Sequence, residues 1–363
     1  MSELKHKLLN KALNLNELSA EEGLYLYNNC SLSELSFIAN QIRKVIHPNN
    51  NVSFIIDRNI NLSNMCISNC LFCNFCRSKQ SQDKYILEIK DYISKINELY
   101  ALGGNQVLLQ GGMHPDLDLN FYINLFKQLK NNFPDLKLHA LGPPEIVFIS
   151  KQSNLSYSEV LDKLSAAGLD SIPGAGAEIL SDRVRKIVSP VKCSSQEWLE
   201  IMEIAHQKNI TTSATMMFGH LETTLERIEH LVKLRDTQNK KPKSSKGFIS
   251  FTIWPLAGKN TRLFKKFPNI KPVDKTEFIK MLSLSRIMLT NIPNIQASWL
   301  TMGVEIAQIC LQSGANDMSS IMIEENVVSQ AGKKNKLSVN AMIKSIEDAG
   351  FFPKQRNQEY QYL

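Results

Sequence analysis

Three cysteines with the spacing CxxxCxxC are the residues of this sequence most able to do chemistry. They are Cys66, Cys70 and Cys73, and the aromatic Phe72 directly precedes the third. A short loop with this spacing can turn three thiolates toward one point, and a closed structural zinc site needs four ligands. Three ligands suit a [4Fe-4S] cluster in which one iron keeps an open coordination position.

A fourth cysteine, Cys76, leaves two other kinds of metal site open. With Cys76 as a ligand, the loop could form a four-cysteine zinc knuckle or a ferredoxin-like centre. Neighbouring cysteines in an intracellular chain are more often metal ligands than disulfides. The spacing by itself favours iron and sulfur over zinc only modestly. We interpret Cys76 as a non-ligand.

The elements that position these cysteines are predicted to be parallel βα units. From Val52 onward, short apolar runs alternate with longer amphipathic segments, which is typical of such units. Eight strands are enough for a (β/α)8 TIM-type barrel, and weak fourth and eighth strands would leave it partly open. The strands are predicted over 52–61, 105–110, 137–141, 170–172, 211–217, 247–253, 295–298 and 315–318.

Helices are predicted after most of the strands and at both ends of the chain. Residues 1–48 form an N-terminal helical cap in this prediction, in which Ser31 and Glu34 have the spacing of a capping box. Residues 49–363 form the barrel with a C-terminal helical extension, and a helix is predicted over 324–331. We expect no second barrel-sized domain.

Polar side chains follow several predicted strands, at the barrel face where such folds place their chemistry. Histidine and glutamate there suit holding a polar substrate and moving a proton, although a single histidine is often only a hydrogen-bonded structural residue. The candidates are His114, His139, Glu145, His220 and Glu222. Trp254, after the sixth strand, is either a stacking platform for substrate or a core residue.

Composition excludes several classes of protein. With 43% hydrophobic and 21% charged residues the chain is an ordinary globular protein, and a net charge of +7 is too modest to indicate nucleic-acid binding. Because no apolar run approaches about 18 residues, we expect no membrane span. No secretion signal is visible, and seven cysteines, four of them in one loop, do not form a disulfide framework. We expect a reducing cytoplasm.

The cysteine motif, with its aromatic residue before the third cysteine, resembles the signature of the radical S-adenosylmethionine (SAM) enzymes. This resemblance implies that the amino and carboxylate groups of SAM chelate the fourth iron of a [4Fe-4S] cluster held by Cys66, Cys70 and Cys73. An electron from the cluster then splits SAM into methionine and a 5′-deoxyadenosyl radical. The resemblance also implies further SAM-binding residues, namely Phe72, Gly111, Gly112, Glu178 and Arg183.

Longer segments resemble the futalosine-pathway enzymes of menaquinone synthesis, and among them the synthases that form cyclic dehypoxanthinyl futalosine. The segments include Gln110-Gly-Gly-Met-His-Pro-Asp-Leu, His139-Ala-Leu-Gly-Pro-Pro-Glu-Ile and Ala214-Thr-Met-Met-Phe-Gly-His-Leu-Glu-Thr. Together with similar segments they cover most of residues 52–332. Aminofutalosine synthases are the closest sibling group, and the deazaflavin-cofactor synthases are more distant.

The resemblance implies a reaction in which the deoxyadenosyl radical takes hydrogen from the 4′ carbon of dehypoxanthine futalosine. The substrate radical then adds to its own aromatic ring, and loss of a proton and an electron completes the cyclisation. His220, His139 or Glu145 would accept the proton, and His114, Glu222 and Trp254 would bind substrate. A one-electron reductant such as flavodoxin or ferredoxin is implied as partner. The alternatives are an aminofutalosine synthase and a non-catalytic iron–sulfur or zinc protein.

Overall fold

The computed structural model describes residues 3–258, 260–324, 326 and 336–363 of the chain. Within these residues, ten strands form one sheet in which every pairing is parallel. The strands are β1 Asn51–Ile55, β2 Asp57–Asn61, β3 Gln106–Gln110, β4 Lys137–Ala140, β5 Ser171–Ile172, β6 Thr211–Phe218, β7 Phe248–Pro255, β8 Asn294–Gln296, β9 Asp317–Ser320 and β10 Phe352–Gln355.

Strands β1 and β2 are consecutive in the chain but lie at or near opposite ends of the sheet. Its order is β10-β1-β9-β8-β7-β6-β5-β4-β3-β2, and β1 and β2 are separated in sequence by Ile56 alone. The first half of this segment therefore pairs with β9 and β10, and the second half pairs with β3. Asp57 joins both sides, because its carboxylate accepts hydrogen bonds from Ser320 of β9 and Gln106 of β3.

Helices follow most of the strands, as the alternating pattern predicts. They are α1 Glu3–Leu13, α2 Ala20–Asn29, α3 Leu32–Ile46, α4 Ile89–Ala101, α5 Leu119–Asn132, α6 Pro143–Ser153, α7 Tyr157–Ala167, α8 Asp182–Val188, α9 Ser195–Gln207, α10 Thr224–Asn239, α11 Arg262–Lys266, α12 Lys275–Met288, α13 Trp299–Met302, α14 Val304–Leu311 and α15 Val339–Asp348. The predicted fold class, a TIM-type barrel, is confirmed.

Local sequence explains where many helices begin. In α3 the Ser31 side chain accepts the Glu34 N–H while the Glu34 carboxylate accepts the Ser31 N–H, so the predicted capping box is confirmed. The starts of α2, α7, α9 and α10 have the same reciprocal arrangement. Between the helices, the strands are buried along most of their length, as expected for parallel strands covered on both faces.

Several elements were not predicted, among them helices α6 and α11 and strand β10. Helix α6 begins at Pro143-Pro144, which occupy its first two positions, where the missing N–H groups of proline cost nothing. Strand β10 adds to the sheet beside β1 after helix α15, so the C-terminal segment is not only helical. The predicted helix over 324–331 lies almost entirely outside the described residues. The boundary between a cap at 1–48 and a barrel at 49–363 stays a prediction.

The three N-terminal helices pack on the outside of the barrel. Helix α3 contacts α12, and α2 contacts α10. Arg235 of α10 donates a hydrogen bond to the Leu18 carbonyl, 2.6 Å away, which fixes the start of α2 against the barrel. Among the described residues, no helix combines the length and the apolar character needed to cross a bilayer.

A buried ion pair fastens the C-terminal tail inside the sheet. Arg356, directly after β10, donates from Nε and Nη2 to the Asp317 carboxylate at 2.5 and 3.1 Å, and both side chains are almost completely buried. Ser53 of β1 donates to the same carboxylate. The pair therefore links β1, β9 and the tail.

We predict that Asp317→Asn strongly lowers the free energy of unfolding. The substitution leaves Arg356 buried without its carboxylate partner, a change that typically costs about 3 kcal/mol or more. Urea denaturation measures the change. Lys344→Ala, which breaks the exposed pair of Lys344 with Asp348, is the control and should change stability little. Equal effects from the two substitutions would contradict this account of the tail.

Candidate active site

A cavity of about 430 Å³ runs inside the barrel from the cysteine loop to the C-terminal tail. At one end it is lined by the cysteines of the motif, and at the other by Arg356, Gln358 and Tyr360. Its walls are strand side chains with hydrogen-bonding groups. They include Asp57, Asn59, Asn61, Gln106, Gln110, Ser213, Thr215, Ser250, Thr252 and Gln296.

The cysteine loop holds its thiols by polar contacts at the mouth of the cavity. Ser68 Oγ lies 2.9 Å from Cys66 Sγ and 3.4 Å from Cys70 Sγ, and the Met113 N–H donates to Cys66 Sγ at 3.3 Å. The neighbouring Cys76 thiol, together with Ser68 and backbone N–H groups, lowers the pKa of Cys66 to about 5 against the opposing effect of burial. These contacts favour the Cys66 thiolate, the form that binds metal.

These thiols have the donor chemistry that iron–sulfur clusters take. All seven cysteines are free, and Cys66, Cys70 and Cys73 all line the cavity. Across the described residues, no three His, Cys, Asp or Glu side chains come together as closely as one metal ion requires. A zinc knuckle needs four ligands around one ion, whereas a four-iron cube holds its thiolates farther apart.

Cys76 lines the same cavity as the three motif cysteines, but its thiol has a backbone partner. Its Sγ donates to the Cys66 carbonyl oxygen at 3.0 Å. Hydrogen bonding to the Cys66 thiolate and burial raise the pKa of Cys76 above its ordinary value. The hydrogen bond to the Cys66 carbonyl engages the Cys76 thiol, which supports the interpretation of Cys76 as a non-ligand.

Gly112 allows the loop after β3 to approach the cysteine loop. It adopts a φ of +68°, and a Cβ at this position would lie 2.7 Å from Cys66 Sγ. At Gly111 a Cβ would lie 2.3 Å from the Leu62 side chain. Both predicted glycines line the cavity, so their backbone is open to a ligand placed beside the cysteines.

Glu178 and Lys192 form a buried ion pair beside the cysteines. Lys192 Nζ donates to Glu178 Oε1 at 2.8 Å and lies 5.5 Å from the centre of the Phe72 ring. Burial alone would lower the pKa of Lys192, but Cys70 and Glu178 raise it above its ordinary value, so the side chain is charged. Glu178 has a φ of 45°, the kind of backbone strain that clusters at functional sites.

Arg185 holds this ion pair in place. Its guanidinium is buried and donates to the carbonyls of Gly176, Ala177 and Cys193. These carbonyls belong to the two loops that carry Glu178 and Lys192. Arg185 thus fixes one loop against the other.

Of the three predicted proton acceptors, Glu145 and His139 line the cavity. Glu145 lies in the first turn of α6, and burial raises its pKa to about 7, although Lys192 opposes the change. His139 Nδ1 lies 2.7 Å from Ser171 Oγ and 3.3 Å from Gln358 Nε2, and burial lowers its pKa to about 3. Near neutral pH, Glu145 is the better matched proton acceptor.

Four predicted site residues do not line the cavity. The Glu222 carboxylate accepts hydrogen bonds from the N–H groups of Gly219 and His220 and from the Arg227 side chain. His220 Nδ1 lies 3.1 Å from the same carboxylate. These contacts make the pair a buried support for the loop after β6. His220 and Glu222 are therefore not retained as base and substrate ligand.

The other two have similar structural explanations. Arg183 is half exposed and pairs with Glu226 at 2.6 Å, so its expected contact with the SAM carboxylate is not supported. His114 is buried, and its Nδ1 accepts the Asp116 N–H at 3.1 Å. His114 follows a strand and Arg183 follows Glu178 in the sequence, but both side chains turn to neighbouring protein groups. The remaining predicted residues, Phe72, Glu178 and Trp254, line the cavity.

Several cavity residues were missed by the sequence analysis. Lys192 lies in a loop with no recognisable motif, and Gln358 and Tyr360 lie far along the chain in the tail. The Tyr360 hydroxyl accepts a hydrogen bond from Gln296 Nε2 at 2.9 Å, and this contact holds the C-terminal tail against β8. The sequence offered one signal for cavity-lining residues, namely polar residues at alternate positions of the strands. A purely apolar core would not contain such residues.

Two family models match the chain. The radical SAM superfamily model matches residues 60–235, and the model described as the CofH/MqnC C-terminal region matches residues 245–363. The second match covers the tail that closes the cavity.

Curated relatives match over nearly the whole chain. A protein of Halalkalibacterium halodurans named cyclic dehypoxanthine futalosine synthase is 37% identical, and the alignment covers 98% of this chain and 94% of the relative. A Streptomyces coelicolor protein of the same name is also 37% identical, with 98% and 88% covered. A Methanosarcina barkeri protein named 5-amino-6-(D-ribitylamino)uracil–L-tyrosine 4-hydroxyphenyl transferase 1 is 36% identical, with 94% and 89% covered.

Solved structures agree with the fold. The [FeFe]-hydrogenase maturase HydG superposes with a TM-score of 0.76 at 17% identity, covering 98% of this chain and 76% of that chain. Methylornithine synthase PylB superposes with a TM-score of 0.70 at 18% identity, covering 95% and 97%. At these identities the likeness concerns the fold alone.

We predict that Gly112→Ala prevents full cluster loading. A Cβ at Gly112 would collide with Cys66 Sγ and displace that thiolate. Iron and sulfide content after anaerobic reconstitution should fall well below the wild-type values. Gly103→Ala is the matched control, because Gly103 has a φ of +81° with nothing within 4 Å of its Cβ, so it carries the backbone strain without the clash. Full loading of the Gly112 variant would contradict this role.

Proposed function

The chain belongs to the radical SAM superfamily, and from that membership we propose that it cyclises dehypoxanthine futalosine to cyclic dehypoxanthinyl futalosine in menaquinone synthesis. The observation that carries the proposal is that the cysteine motif, the paired glycines and several hydrogen-bonding side chains of the barrel strands line one cavity. The names of two relatives, each 37% identical over 98% of this chain, support the choice of reaction.

The cofactors of a radical SAM enzyme are a [4Fe-4S] cluster and SAM, which when bound supply a 5′-deoxyadenosyl radical able to abstract hydrogen. We assign Cys66, Cys70 and Cys73 as the cluster ligands. Three thiolates from the protein leave one iron for a small-molecule ligand.

We propose that the neighbouring side chains bind the polar parts of SAM. Lys192 carries a positive charge that suits the SAM carboxylate, the role that the sequence analysis gave to Arg183. Glu178 can accept hydrogen bonds from ribose hydroxyls or the amino group. Phe72 lies against Lys192, where its ring can also contact the adenine. Gly111 and Gly112 present backbone groups without side chains.

The barrel interior suits a substrate with ribose hydroxyls and an aromatic ring. Asn59, Gln106 and Thr252 line the cavity and carry both hydrogen-bond donors and acceptors, which polar side chains need when they lose water. Trp254 lines the same cavity and can stack on the aromatic ring of the substrate. Holding the substrate rigidly between these walls would present one sugar carbon to the radical and exclude other hydrogen sources.

We propose Glu145 as the group that accepts the proton released when the aromatic ring is restored. It lines the cavity and is buried, and its pKa lies near neutral pH. Lys192, the nearby cation, forms its ion pair with Glu178. The Glu145 carboxylate is thus not neutralised by an ion pair of its own among the described residues.

The reaction also needs a one-electron reductant, and we propose a flavodoxin or ferredoxin. Seven free cysteines suit a reducing compartment, and we propose the cytoplasm. We propose no nucleic acid among the binding partners of the protein.

Substrate turnover tests the function directly. Reconstituted protein, reduced with dithionite and supplied with SAM, should convert dehypoxanthine futalosine to a product lacking a pair of hydrogens, with release of free 5′-deoxyadenosine. Parallel incubations should contain enolpyruvyl benzoate, or tyrosine with 5-amino-6-(D-ribitylamino)uracil. Turnover confined to either of those incubations would overturn the proposal in favour of an aminofutalosine synthase or a 4-hydroxyphenyl transferase.

We predict that Glu145→Gln slows cyclised product formation by about 100-fold, the usual scale for loss of a general base. Formation of 5′-deoxyadenosine should continue, because hydrogen abstraction precedes proton loss. The pKa of about 7 means that the carboxyl is protonated below neutral pH and accepts a proton above it. The wild-type product rate should therefore rise with pH through about 7, and the variant should lack this rise. A variant that keeps the wild-type pH profile would rule out Glu145.

A further inference from the structure

The outer surface of the cysteine loop is exposed on the side away from the cavity. Ile67, between the first two motif cysteines, is 41% exposed, and Asn69 is also exposed. The thiols of Cys66 and Cys70 line the cavity on the other side. A protein that delivers an electron to a cluster bound by these cysteines can approach closely from the outer surface, since cofactor and substrate take up the cavity.

Two other segments extend this outer surface. The Leu71 N–H donates to the Val188 carbonyl at the end of α8, 2.8 Å away, and the Leu263 N–H donates to the Leu71 carbonyl at 2.9 Å. Arg262 of α11 donates to Asn69 Oδ1 at 2.7 Å and to the Cys70 carbonyl at 3.0 Å. The end of α8 and the start of α11 are therefore fixed against the two sides of the loop.

Both flanking segments are basic. Residues 256–273 contain five Lys or Arg and no Asp or Glu. Residues 183–193 contain four Lys or Arg and no Asp or Glu, but Arg183 pairs with Glu226, Arg185 is buried and Lys192 pairs with Glu178. Lys186 is therefore the cation that this segment adds to the outer surface. Lys186, Lys265 and Lys266 are exposed, and in the part of the chain that the structure describes none of them forms an ion pair. Asp182, the acidic residue of α8, is engaged by the Ser195 N–H at 2.7 Å.

The same loop and the segment after α8 also expose apolar side chains. Val191, just beyond α8, is 51% exposed, and with Ile67 it gives two large apolar side chains next to the cysteines. We call the set Ile67, Lys186, Val191, Arg262, Lys265 and Lys266 the basic face. An apolar centre with charged groups around it is the usual anatomy of a transient protein interface, and the charges speed association with an oppositely charged partner.

We propose that the basic face is the docking site of a small acidic protein that carries a one-electron redox centre. This inference rests on the proposed function, because it supplies the reductant that the reaction needs. The docked protein loses one electron, and a cluster held by Cys66, Cys70 and Cys73 gains it. A second copy of this chain would bring like charges together, which disfavours self-association through this face.

The test compares two electron donors in the reconstituted holoenzyme. The double variant Lys265→Glu, Lys266→Glu should raise the KM for recombinant flavodoxin about 10-fold or more at low ionic strength, because charges at an interface rim act mainly on association. Added salt should raise the wild-type KM and reduce the difference between the proteins. With dithionite, which needs no docking surface, the variant should turn over like the wild type.

Lys127→Glu, Lys163→Glu is the matched control. These lysines are exposed in α5 and α7, helices that run back toward the opposite end of the barrel, and the pair makes the same change in net charge. The control should leave the flavodoxin KM unchanged. An unchanged KM in Lys265→Glu, Lys266→Glu, or equal increases in both double variants, would overturn the proposed docking site.

Two further results separate this inference from the proposed function. If the wild-type protein does not turn over with dithionite, the proposed function fails, whatever the docking site. If Lys265→Glu, Lys266→Glu folds poorly or loses iron, Lys186→Glu on the α8 side provides the independent test. It should also raise the flavodoxin KM while leaving dithionite turnover intact, and an unchanged KM would count against the basic face.

Discussion

The extended segment of residues 51–61 is the constraint on which the site depends. Its first half pairs with β9 and β10 and its second half with β3, so the curled sheet can close only through this segment. The cysteine loop follows directly and is held against the next loop of the sheet, where Gly112 permits contact with Cys66. Fixing the two ends of the sheet thus also fixes the position of the thiols.

Charge is arranged in opposite ways on the two sides of the cysteine loop. Inside the cavity, Lys192 and Glu178 form a buried pair, which is favourable only because each satisfies the other and Arg185 fixes the loops that carry them. Outside, the basic face carries lysines without acidic partners among the described residues. The inner pair suits the binding of a charged small molecule, and the outer lysines suit brief contact with an acidic protein.

Sequence patterns predicted the features that arise from local or repeated rules. The alternation of apolar runs indicated the parallel barrel, and the spacing of Cys66, Cys70 and Cys73 indicated the metal chemistry. The patterns failed where side-chain direction decides the outcome. His220 follows a strand as expected and Arg183 lies one turn beyond Glu178, but they turn to Glu222 and Glu226 rather than to the cavity.

Residues brought in by long-range packing had no local signal at all. Gln358 reaches His139 only because a tail near the C-terminus adds β10 beside β1 and then crosses the barrel. Lys192 enters the site because Val188 is hydrogen-bonded to the cysteine loop. Neither contact follows from spacing or periodicity in one chain.

The spectrum of the anaerobically reconstituted protein, recorded with and without SAM, tests the central claim most directly. Three cysteine ligands leave one iron available to the amino and carboxylate groups of SAM, so addition of SAM should change the electronic absorption and electron paramagnetic resonance of the cluster. A cluster spectrum that SAM leaves unchanged, or a protein that binds one zinc and no iron, would contradict the claim.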